Sequence, residues 1–195
     1  MTLLRTVQAG FERLLKVVVI LLVAALTVLV VAGAAFRYAG SPLVWYDEVA
    51  SVGLVWLTYY GSALAALKGA HIGFPGFVNA MPPGARVTAT LLSELCVFFF
   101  FGVLTVTGLE VLSILRGSNL VSLPSVPLQL TQSVIPIGGV LFMLAELLRL
   151  PELLREARGA GFVDHELKEA LAHELPPGVP EPPLAEPTLN KGARP

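Results

Sequence analysis

The chain has 195 residues, 55% of them hydrophobic and 14% charged, with a formal net charge of -1 and a mean hydropathy of +0.76. Ordinary soluble domains carry about 25% charged residues, so a water-soluble fold could not hide this much apolar surface, and a near-neutral chain without a basic patch excludes nucleic acid as a partner. The single cysteine, Cys96, excludes a dithiol redox centre or a paired-cysteine metal site and is expected to act as a small buried hydrophobe.

Four segments reach membrane length. The first, Val17 to Phe36, is an uncharged run of Val, Leu and Ala with one hydroxyl, Thr27, preceded by Arg5, Arg13 and Lys16. Ala32-Gly33-Ala34 has the form of a signal-peptide cleavage site, but the apolar core exceeds the roughly 7 to 15 residues of a signal peptide, which favours an uncleaved helix. Arg37 closes this segment; Asp47 and Glu48 open the next, Val49 to Leu67, whose 19 uncharged residues would span about 30 Å as a helix. Lys68 and His71 close it. The pair Gly61 and Ala65 and the pair Ser62 and Ala66 are spaced for close helix packing.

The third segment, Val87 to Leu115, contains Glu94 and Glu110, about 24 Å apart along a helix. Acids inside membrane spans can mark proton or cation paths; here a packing or interfacial role is the favoured reading, with an ion relay as the alternative. Phe98 to Phe101 place rings all around this helix, so some must face lipid or another subunit. The fourth segment, Leu128 to Leu148, holds Pro136, Gly138 and Gly139, which predict a kink near Pro136; Glu146 and Arg149 then return the chain to water.

With the N-terminus inside, the cytoplasmic side would hold Arg5, Arg13, Lys16, Lys68, Arg86, Arg149, Arg155 and Arg158 against Arg37 and Arg116 outside, which predicts that both termini are cytoplasmic. The stretch from His71 to Arg86, with Ile72, Phe74, Phe77, Val78 and Met81 among prolines, reads as a segment on the inner interface. Val163, Leu167, Leu171 and Leu175 recur every four residues, as in a short amphipathic helix, and the Pro-rich stretch from Pro176 reads as disordered. The chain thus divides into a cytoplasmic N-terminus (1–16), a four-helix transmembrane domain (17–150; spans about 17–36, 49–67, 87–115 and 128–148), a cytoplasmic amphipathic segment (151–175) and a tail (176–195). No internal repeat of the inverted kind that builds a transporter's substrate site is visible.

No residue set suggests a nucleophile with its base, and His71 lacks neighbours at metal-ligand spacing. Asp47 and Glu48 suit the positive end of a helix dipole and Arg37 the negative end of the preceding one. A sharper expectation is that Arg37 pairs with Asp47 or Glu48 across the outer hairpin.

The order Arg37-Tyr38, Pro42, Trp45, Asp47-Glu48, Trp56, Gly61, Ala65 and His71-Ile72 resembles the small membrane subunit, DctQ-type, of tripartite ATP-independent periplasmic (TRAP) transporters. Pro82 and Arg86 before the third span, and Pro136-Ile137-Gly138 at the start of the fourth, extend the likeness over about residues 10 to 150. Leu123-Pro124-Ser125-Val126-Pro127 departs from it, since the family often has Trp shortly after the proline there. The resemblance implies an all-α, four-helix, non-catalytic scaffold in a bacterial inner membrane, partnered by the lipid bilayer, a large membrane subunit and a periplasmic binding protein that delivers an organic acid. It implies no cofactor in this chain, with sodium ions on the large subunit. Arg37, Tyr38, Trp45, Asp47, Glu48, Trp56, Gly61, His71, Pro136 and Gly138 are the motif residues expected at subunit contacts. A channel formed by copies of this chain, lined by Glu94 or Glu110, is the alternative.

Overall fold

A computed structural model describes residues 2–69 and 78–159. His71, the helix expected around Val163 to Leu175 and the Pro-rich tail lie outside the described residues. The described chain forms α1 (Thr2–Tyr38), α2 (Tyr46–Lys68), α3 (Pro83–Ile114), α4 (Leu128–Gln132) and α5 (Val134–Arg158). Four helical stretches are long and apolar enough to cross a membrane, the last running through α4 and α5. In hydrocarbon each backbone N–H and C=O must be satisfied within the protein, which a helix achieves on its own.

Local sequence sets the helix ends. Asp47 and Glu48 occupy the first turn of α2, and Gly69, at a φ of 71°, ends it by donating its N–H to Ala65 and Ala66 carbonyls; only glycine enters that left-handed region without strain. Pro83 starts α3, where a missing N–H costs nothing because no acceptor precedes it. The irregularity expected near Pro136 lies just before it. A proline cannot donate to the carbonyl four residues back and its ring crowds that carbonyl; here that residue is Gln132, where α4 ends, and the chain restarts at Val134. The result is a break at Ser133, three residues before Pro136, which itself sits in the first turn of α5. From there α5 continues past Pro151 to Arg158.

The helices lie in a row, α1 against α2, α2 against α5, and α5 against α3. Close approaches give the directions. Gly33 lies against Tyr46 and Gly53 against Leu26, so α1 and α2 are antiparallel; Gly138 lies against Tyr59 and Gly69 against Arg149, so α2 and α5 are parallel; Gly108 meets Pro136 and Gly139 meets Thr105, so α5 and α3 are antiparallel. The start of α1 and the end of α5 therefore share one side. Near that side Leu15, Ala63, Ala66, Leu67, Phe142 and Ala145 form the apolar core, where the three alanines let α2 and α5 approach closely.

A row has more uncovered surface than a closed bundle. Phe101 stacks on Phe142, ring centroids 3.9 Å apart, while Phe99 and Phe100 face outward. Cys96 is exposed, contrary to its expected burial, because it lies on α3 away from α5. Glu146 is the converse. Beside the buried Ala145, it is only 4% exposed.

Candidate subunit interface

The outer end of the row is built from residues far apart in sequence. Arg37, the last basic residue of α1, donates from Nη2 to the Tyr46 hydroxyl at 2.7 Å, and its guanidinium lies 5.6 Å from the centre of the same ring, a cation–π arrangement. That ring rests against Gly33, where an added Cβ would stand 2.5 Å from it. The absence of a side chain at Gly33 lets α2 reach α1. The expected pairing of Arg37 with Asp47 or Glu48 is replaced by this contact.

Glu48 is committed elsewhere. Its carboxylate accepts the Val121 N–H at 3.2 Å, the Ser122 N–H at 2.8 Å and the Ser122 hydroxyl. The loop it holds closes on itself: Leu120 donates to the Val126 carbonyl, Leu128 donates to that of Ser118, and an isolated bridge joins Asn119 to Pro127. Leu120 is buried beneath it while Val121 is almost fully exposed. A carboxylate receiving two N–H groups and a hydroxyl forms charge-assisted bonds, about twice as strong as neutral ones. Glu48 thus ties the start of α2 to the α3–α4 loop.

Deeper in the membrane, Trp56 donates from Nε1 to the Thr131 carbonyl at 3.0 Å, near the gap between α4 and α5 where backbone carbonyls lack helical partners. Gln129 donates to the Leu112 carbonyl at 2.8 Å, joining α4 to α3. Tyr59 packs over Gly138, where a Cβ would approach its ring to 2.5 Å. Hydroxyl groups at Thr27, Ser51, Thr58, Thr90, Thr105 and Thr107 donate to carbonyls of their own helices, a common way for them to be satisfied in lipid.

Of the motif residues, Arg37, Glu48, Trp56, Pro136 and Gly138 join helices or loops within this chain. Tyr38 is 94% exposed, Trp45 precedes α2 as its cap residue without a side-chain cap bond, and Asp47 stands exposed beside Tyr46. Gly61 has no atom within 4 Å of where a Cβ would stand, so its expected close contact is not made with the described helices. Glu110 is exposed and Glu94 half-buried. Sequence reasoning missed Tyr46, Tyr59 and Ser122 as contact residues; no local pattern marks Ser122, since its partner Glu48 is 74 positions away.

The described residues, with four helical stretches of membrane length and Glu48, Trp56 and Gln129 tying separate elements together, place the chain in the class of multi-pass membrane proteins. Residues 26–156 match the family described as tripartite ATP-independent periplasmic transporters, DctQ component, and the chain belongs to that family. Among its relatives is the sialic acid TRAP transporter small permease protein SiaQ of Vibrio cholerae serotype O1, 24% identical over 132 residues that cover 66% of this chain and 76% of that protein.

Proposed function

We propose that this chain is the scaffold subunit of a TRAP-type secondary transporter of the bacterial inner membrane. In this reading it is non-catalytic and supports a large membrane subunit that moves the substrate, an organic acid, with sodium ions bound on that large subunit and a periplasmic binding protein delivering the solute. Sialic acid, the solute named for the Vibrio relative, is one candidate of that class.

The observation that carries the reading is the open row of helices fastened near both ends. At one end Arg37 holds Tyr46 and Glu48 holds the loop at Ser122; at the other, the apolar core joins α1, α2 and α5. Such a row resists sliding and leaves broad apolar faces, with Phe99 and Phe100 among the uncovered rings. Lipid or a protein partner can cover them. The end holding Lys16, Lys68, Arg86, Arg149, Arg155 and Arg158 is assigned to the cytoplasm by the excess of basic residues there, which makes both termini cytoplasmic. Arg37, Tyr38, Trp45, Asp47 and Glu48 then face the periplasm, where Tyr38, Trp45 and Asp47 are available to partners, while Gly61 offers a notch within the membrane.

The test is solute uptake by cells or vesicles holding the large subunit and binding protein, with and without this chain. Uptake that requires the chain, yet survives Glu94→Gln and Glu110→Gln, supports a scaffold. Uptake that is independent of the chain removes the proposal.

A further inference from the structure

The outward stripe of α3 carries a carboxylate that the described chain leaves unpaired. At about 100° per residue, Leu92, Phe99, Val103, Val106 and Glu110 share one side of the helix, opposite the buried Thr90 and Gly108. Gly108 meets Pro136 and Thr105 meets Gly139, so α5 covers the buried side, and α3 is the last helix of the row. The whole stripe is exposed, Phe99 at 73%. Phe98, Phe99, Gly102, Val103, Val106 and Thr107 line a shallow groove of about 360 Å³ on this face. Glu110 stands one turn beyond Val106, towards the outer end.

This carboxylate lies within the span. Gln129 donates to the Leu112 carbonyl and Trp56 to the Thr131 carbonyl, which puts Glu110 near the depth of Trp56. Asp47, at the outer start of α2, lies about 13 Å further out along its helix. Among the described residues the Glu110 carboxylate makes no hydrogen bond or ion pair; the Ser113 hydroxyl donates to the Glu110 backbone carbonyl. The chain leaves the described residues at the start of α1, at Gly69, Val78 and Gly159, all at the other end of the row. Gly159 accepts from Arg86 there, and from Arg86 to Glu110 the helix rises about 36 Å.

An ionisable side chain at this depth is costly against lipid and calls for protein, water or an opposite charge beside it. A second copy of this chain cannot supply the charge from its spans. Residues 17–36 and 49–67 hold no charged side chain, and 87–115 and 128–148 hold only Glu94, Glu110 and Glu146. We propose that the outward face of α3 docks a membrane-spanning helix of a different chain, which covers the groove at Phe99 and presents an arginine or lysine to Glu110. The partner rests on the scaffold reading, in which that chain is the large membrane component.

The test expresses the full tagged chain with the large component and binding protein, carrying a photoreactive phenylalanine analogue at position 99, and irradiates the membranes before solubilisation. Crosslinking of position 99 to the large component supports the proposal. Crosslinking of that position only to lipid or to a second copy, while the complex is recovered, overturns it. Glu110→Lys sets like charges together and is expected to lower recovery of the complex at least about tenfold. Val28→Lys, at an exposed position of α1, places the same charge within a span away from this face and is expected to leave recovery unchanged. Glu110→Gln keeps a carbonyl oxygen for the cation, so the complex and its uptake are expected to persist. Equal recovery with Glu110→Lys and Val28→Lys would also overturn the proposal. If the unsubstituted chain forms no complex, the scaffold reading fails and takes the docking face with it; a complex that forms without these signatures ends the docking face alone.

Discussion

Replacing Glu48 by Gln should release the α3–α4 loop from α2 without emptying any part of the core. The carboxylate accepts from the Val121 and Ser122 N–H groups and from the Ser122 hydroxyl. Glutamine keeps one acceptor oxygen but turns an NH2 group towards donors, so at least one charge-assisted bond, about twice as strong as a neutral one, is lost. The population of the open loop is expected to rise by at least about tenfold. Leu120 is buried while the loop is closed, which makes it the reporter. In a Cys96→Ala background, Leu120→Cys should react slowly with a soluble maleimide in the presence of Glu48, and at least about tenfold faster with Glu48→Gln if opening limits labelling. Ser122→Ala should give a smaller increase, and combining the two should add less than the sum, because they share a bond. Equal labelling rates with and without the Glu48→Gln substitution would refute the clamp.

The glycines give contrasting outcomes. Gly33→Ala and Gly138→Ala each place a Cβ against a tyrosine ring and should lower stability by about 1 to 3 kcal/mol, seen as a reduced unfolding midpoint in detergent. Gly61→Ala meets nothing in the described chain and should leave that midpoint unchanged, while Gly61→Leu should reduce recovery of a complex if a partner helix fills the notch. Phe142→Ala removes the ring stacked on Phe101 and should cost about 3 to 5 kcal/mol, measured by the same unfolding assay. Trp56→Phe loses the bond to the Thr131 carbonyl; a cost of about 1 to 3 kcal/mol is expected for the stranded acceptor, again from unfolding.

The helices were legible because a membrane span needs a long apolar run and the charges fall at its ends: Lys16 and Arg37 bracket one, Glu48 and Lys68 another. The row was not legible, since neighbour order depends on which small residues meet which rings. Gly33 and Tyr46, or Gly138 and Tyr59, carry no sign of their pairing in either local sequence. The charged residues show the same limit. Arg37 and Glu48 look like ion-pair partners across a short hairpin, yet a nearby phenol and a distant serine loop take them. Pro136 was informative about irregularity but its effect appears at Gln132, the carbonyl its missing N–H would have used. Glu146 is charged yet buried in the described chain, which its local sequence does not mark.

The scaffold account is tested most directly by tagging the full chain, expressing it with the large membrane component and binding protein of a tripartite transporter from the same genome, and purifying it in mild detergent. The account predicts a stoichiometric complex with the large component, reduced by substitutions at exposed positions such as Tyr38 or Gly61. Recovery of this chain only as a homo-oligomer that conducts ions in liposomes, with conduction lost in Glu94→Gln or Glu110→Gln, would contradict it.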